Sequence, residues 1–144
     1  MRAAIVTGFL ISAAMSTAAV AQDIGRIKSV SAPASVVRGK QVLPATVGQV
    51  LQVSDVLTTG KDGRIGVTFI DNSRFAVGPN SRVALTQFEF NETTHKGKSL
   101  TTVDRGSLAI VSGQVAKENK DAMKVRTPTS LLAARGTTFV VEVR

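Results

Sequence analysis

The stretch Val125 to Val143 reads VRTPTSLLAARGTTFVVEV. Pro128 fixes its own φ and pushes Thr127 toward extended geometry, so a helix cannot run through this dipeptide. After Arg135-Gly136, the run from Thr137 to Val143 is dense in β-branched residues and stops one residue before the chain does. A strand in that position frays unless a sheet pairs it. The stretch therefore predicts a strand, a proline-marked turn, a short strand, an Arg-Gly break and a closing strand, which together close a β domain.

Upstream the same grammar repeats. Arg64 to Ile70 alternates Ile65, Val67 and Phe69 with Arg64, Gly66 and Thr68, the period-two pattern of a half-buried strand. Asp62-Gly63 before it is a hairpin signal, because glycine accepts the positive φ of a tight turn. Asp71-Asn72-Ser73 and Gly78-Pro79-Asn80-Ser81 carry turn chemistry. From Arg82 to Phe90, Val83 and Leu85 share one phase while Phe88 and Phe90 share the other. A β-bulge, or a bend that passes the strand between sheets, would produce that change. Asn91 to Ser99 is a polar hairpin tip, Leu100 to Asp104 a strand, Arg105-Gly106 a turn and Ser107 to Val111 a further strand. Lys117 to Asp121 is a charge run expected in a solvated loop. Ile24 to Val30 is ambiguous in period, Ala34 to Val37 is a short strand and Arg38-Gly39-Lys40 a basic turn before Gln41 to Leu43, and Pro33 and Pro44 favour edge strands and turns there.

No apolar stripe of helical period follows residue 21. Many short strands with frequent turns predict an all-β chain: a two-sheet sandwich or jelly-roll-like domain of short antiparallel strands, with solenoid-like turns as a variant. Residues 1–21 have the parts of a cleavable signal peptide, with Arg2, an apolar run and Ala19-Val20-Ala21 ahead of a cut near Ala21-Gln22. The expected organisation is residues 1–21 as signal peptide, 22–48 as N-terminal strands packing on the domain, and 49–144 as the main β domain. The expected address is periplasmic or secreted, with no transmembrane anchor in the mature chain.

The 144 residues hold no cysteine, so packing and sheet hydrogen bonds must supply stability. A formal charge of +8, of which cleavage removes Arg2, makes this a basic protein and favours anionic partners. Trp and Tyr are absent, which weighs against carbohydrate or single-strand stacking platforms.

The series Asp55-Val56-Leu57-Thr58-Thr59-Gly60, Gly63-Arg64 with Phe69, Gly78-Pro79-Asn80-Ser81, Gly106-Ser107-Leu108, and Val125 to Thr129 through Arg135-Gly136-Thr137 resembles the FecR domain family over about Gln49 to Val143. The resemblance implies an all-β extracytoplasmic domain of the Gram-negative envelope with no enzymatic activity. Its best-known members are inner-membrane regulators that relay a siderophore-receptor signal from the periplasm to a cytoplasmic sigma factor. This chain shows no cytoplasmic N-terminal segment, no membrane helix after one and no second periplasmic module, so it looks like a stand-alone exported form.

No residue is assigned to catalysis, a cofactor or a metal. His95 stands in a polar loop tip, and Asp55, Asp62 and Asp71 are scattered through turns, so neither a general base nor a metal cluster is expected. Gly60, Gly63, Gly78, Pro79, Asn80, Pro128 and Gly136 are expected as structural turn residues. Arg126 and Arg135 flank the closing turn. They are expected first to tie loop carbonyls or an acid such as Asp55 or Asp71 into the fold, and second to contact a partner or anion. The expected function is non-enzymatic protein contact, with an anionic or carbohydrate envelope component as the alternative ligand. Nucleic acid is not an expected partner.

Overall fold

In the computed structural model the described residues are 14, 22–119, 121–133 and 138–144. The expected signal peptide therefore lies outside them apart from Ala14, as do Arg135 and Gly136.

Alternation sets the central registers. β6 (Arg64–Phe69) turns Ile65, Val67 and Phe69 inward and is paired on both edges, by β1 (Asp23–Ser31) and by β7 (Arg74–Val77). In β1 the inward Ile24 and Ile27 are three residues apart, a spacing that fits no regular strand. Register irregularities between Asp23 and Gly25, and between Ile27 and Ser29, absorb the extra residues and explain the ambiguous period. β4 (Val50–Gln52) pairs with the other edge of β1.

The second sheet is built from β3 (Gln41–Pro44), β2 (Ala34–Arg38), β5 (Val56–Thr59) and β8 (Arg82–Phe90), in that spatial order. Pro44 sits on the β3 edge strand, where its missing N–H costs no ladder bond. β8 keeps Val83, Leu85 and Phe88 buried because its pairing shifts between Ala84 and Gln87. The change of phase is thus a bulge within one sheet.

The strand that passes between sheets is β9 (Gly97–Val111). Its first part, Gly97 to Arg105, pairs with β8, and its second part, Gly106 to Val111, pairs with β7 and with β12 (Thr138–Val143). Arg105-Gly106, expected as a turn, is a bend inside one continuous strand. Gly106 has φ +89°, and a Cβ there would collide with Ser81, so only glycine fits. Through β9 the two sheets are continuous and curl as an antiparallel half-barrel.

The Asp62-Gly63 hairpin does not form. β5 pairs with β2 and β8, whereas β6 pairs with β1 and β7, so the turn joins two different sheets. Asp62 does adopt φ +66° and Gly63 N–H does donate to Gly60 O at 3.0 Å. The local turn is as expected, but Pro33 packs into it. Pro33 O accepts from Gly60 N–H at 3.0 Å, and a Cβ at Gly60 would lie 2.6 Å from Pro33 Cγ. That wedge turns the chain at a corner.

After β9 comes a short helix, α1 (Gln114–Glu118), which takes in the start of the expected charged loop. The crossover brings β10 (Met123–Arg126) alongside β9 in the one parallel pairing among the described residues. β10 forms a hairpin with β11 (Leu131–Ala133) through Thr127 to Ser130, where Thr127 N–H donates to Ser130 O at 2.8 Å. The core fills the space between the sheets. Phe69 stacks on Phe88 at 5.3 Å and meets Phe75 edge-on at 4.5 Å, linking both layers.

Candidate functional site

Three motifs that lie far apart in the chain meet at the corner beside the β9 bend. Thr59 Oγ1 donates to Gly78 O at 2.6 Å and accepts from Ser81 N–H at 3.0 Å. Ser81 Oγ accepts from Ser107 N–H at 3.0 Å, and Gly78 N–H donates to Ser107 O at 3.0 Å. Asn80 N–H reaches Gly60 O at 3.1 Å, closing the knot. Small residues with short polar arms are needed because the backbones almost touch, leaving no room for solvent to satisfy them. Gly60, Gly63, Gly78, Pro79 and Asn80 all lie in this corner, and its groups are engaged with one another.

A second buried knot surrounds Asp71, which is 0% exposed. Its carboxylate accepts from Ser73 N–H at 3.0 Å, Ser73 Oγ–H at 2.6 Å and Val115 N–H at 3.3 Å, while Gly113 N–H donates to Ser73 Oγ at 3.1 Å. The β6–β7 turn therefore holds the start of α1. Asp55, 1% exposed, is gripped by Arg38 through Nε to Oδ1 at 2.9 Å and Nη2 to Oδ2 at 2.8 Å, and it also accepts from Gln52 N–H at 2.9 Å. The hydrogen bond to Asp55 holds the Arg38 guanidinium above its ordinary pKa. The cation on Asp55 is thus Arg38, a residue that motif spacing did not single out, and Asp71 is held by a serine and backbone amides. Arg126 serves neither acid. It projects outward from β10, exposed, with Lys98 and Lys124 around the same 440 Å³ hollow.

The closing segment forms a surface of its own. Pro128 lies in the exposed turn of Thr127 to Ser130, and between that turn and β12 runs a 510 Å³ groove bordered by Leu132 and Val140. Leu131, Leu132 and Val140 are 55%, 44% and 67% exposed. Among the described residues β11 pairs with β10 alone and β12 with β9 alone, so each presents a free edge.

Among the described residues no three His, Asp or Glu side chains gather closely enough to hold a metal ion. His95 is an exposed loop residue stacked on Phe90 at 6.2 Å. No described helix is long and apolar enough to cross a membrane. The composition gave net charge but not its distribution: Arg26, Lys28, Arg64 and Arg74 all lie exposed on one sheet, a grouping that only strand order reveals.

No curated protein and no solved structure shows a match. The family model described as FecR protein covers residues 55–144, from the buried Asp55 through the corner knot to the closing strand. That is more than half of the chain, and the protein belongs to the FecR family.

Proposed function

We propose that this chain is a non-enzymatic module of the bacterial envelope, exported to the periplasm or beyond, that acts through protein–protein contacts in a sensing or regulatory role. The observation that carries this reading is the closing surface, where β11 and β12 each show an unpaired edge among the described residues, a groove is rimmed by exposed Leu132 and Val140, and exposed Leu131 stands beside Leu132 on β11. Unpaired edges with apolar side chains beside them are suited to a partner's extended segment, which would add as a further strand. Family membership supports the regulatory role. Arg126, with Lys98 and Lys124 beside it, is a secondary contact for an acidic partner.

A photo-crosslinker placed at Leu132 or Val140 in intact cells should give discrete protein adducts, while one at Glu92 in the hairpin tip should not. Adducts of the same pattern from all three positions, or none from any, would remove the protein-contact reading. A second reading, a binding module for an anionic or carbohydrate envelope component, is favoured by the four exposed cations on β1, β6 and β7.

A further inference from the structure

The outward face of the sheet β4–β1–β6–β7–β9–β12 carries positive charge that the fold does not use. Arg26 and Lys28 on β1, Arg64 on β6 and Arg74 on β7 are all exposed. The ion pairs among the described residues are Arg38–Asp55, Arg82–Asp104, Lys98–Glu89 and Arg144–Glu142, and none involves these three strands. Surfaces that serve only solubility mix both signs. The exposed charged residues of β1, β6 and β7 are Arg26, Lys28, Arg64 and Arg74, against one acid, Asp23, at the start of β1.

Register fixes their layout. Arg26 lies opposite Thr68 and Thr68 opposite Arg74, so the two arginines flank one row, their Cα atoms about 10 Å apart at the usual strand spacing. Arg64 lies four residues from Thr68 on β6, about 13 Å along the strand. Between these positions runs a row of short side chains, Ser29, Gly66, Ala76 and Ala109, each in register with the next. The floor of the field is therefore low, and a 260 Å³ hollow lies over it, bordered also by Ser107 and Arg64. Arg64 borders this hollow together with Ser29 and Ser107, and Arg26 and Lys28 border a second hollow on the same face with Thr68 and Asp23.

Charge complementarity decides the occupant. Three of the four cations are arginines, whose planar fork suits bidentate contact with carboxylates. The chain has no Trp or Tyr, so attraction here comes from charge and hydrogen bonds and not from ring stacking. A flat bilayer would rest on the tips of the arginines and leave the floor untouched, whereas a single polymer chain can descend onto it. We infer that this face binds a linear anionic polysaccharide, with carboxylates on successive sugars, laid across β1, β6 and β7. The inference deepens the second reading above; its hollow adjoins the protein-contact groove at Val140, which borders both, whereas Leu131 and Leu132 lie outside it.

The test is binding of the purified full chain to polygalacturonate, with neutral dextran and phosphatidylglycerol vesicles as comparison ligands. R64Q/R74Q should weaken polygalacturonate binding at least about tenfold, since each arginine loses a charge-assisted hydrogen bond. A76L, which fills the floor without changing charge, should also weaken it. K98Q/K124Q removes the same charge from the other sheet and should change binding less than about twofold. All these positions are exposed, and thermal unfolding of each variant checks that the fold is kept. Equal losses from both double variants would reduce the effect to net charge and overturn the inference, as would unchanged binding by A76L. Vesicle binding without polygalacturonate binding would overturn it in favour of a membrane surface. L131D/L132D should leave polygalacturonate binding intact while removing the crosslinked adducts, so the two readings fail separately.

Discussion

At the scale of the residue, the ion pair that matters is the one with a buried partner. Replacing Arg38 by Gln leaves the Asp55 carboxylate, 1% exposed, with the Gln52 amide as its remaining donor. Urea unfolding should show a loss of about 1–3 kcal/mol. Replacing Lys98 by Gln breaks a pair in which both side chains are more than half exposed, at 57% and 62%, and should cost less than about 0.5 kcal/mol. Gly106→Ala should be more harmful than Gly39→Ala, although both have positive φ. Gly39 faces open space, so its cost is about 1 kcal/mol, whereas a Cβ at Gly106 also meets Ser81, whose hydroxyl is already committed to Ser107. The turn residues were legible because φ is a local property. Arg38 was not, because nothing local joins it to an acid seventeen positions away.

At the scale of the element, β6 was legible to within one residue at its end because one buried face leaves a clean alternation. β1 was not, since its two irregularities break the period that identifies a strand. Helix α1 has five residues, too few for helical periodicity to show, and its start is held from outside by Asp71. Asp71→Asn keeps the shape but replaces a carboxylate acceptor. The expected result is faster amide exchange at Gly113 and Val115 and a stability loss of about 1–3 kcal/mol, both measurable by hydrogen exchange. The Asp62-Gly63 turn has the same backbone need in a hairpin as at a corner between sheets, so the dipeptide could not say which strands it would join.

At the scale of the molecule, the structural unit is larger than the segment matched by the family model. β1 to β4 lie before residue 55, yet β1 is paired between β4 and β6, and β2 between β3 and β5. They bring Ile24, Ile27, Val36 and Leu51, all essentially unexposed, into the core. At about 1.5–3 kcal/mol for each buried side chain, their loss removes about 6–12 kcal/mol. That is comparable with the whole stability of a domain, about 5–15 kcal/mol. A fragment of residues 55–144 should therefore lack a cooperative thermal transition, and 22–144 should show one. A cooperative transition in the shorter fragment would mean that the first four strands are an accessory layer. The sequence by itself determined that the chain is β-rich, where it turns, and which family it belongs to, because strand alternation and turn φ are set by neighbouring residues. Only the tertiary structure decided which strands pair, that β9 serves both sheets, that Asp55 is held by Arg38, and that four cations share one face. Those relations depend on strand order, which is fixed by how the whole core closes and not by any stretch within it.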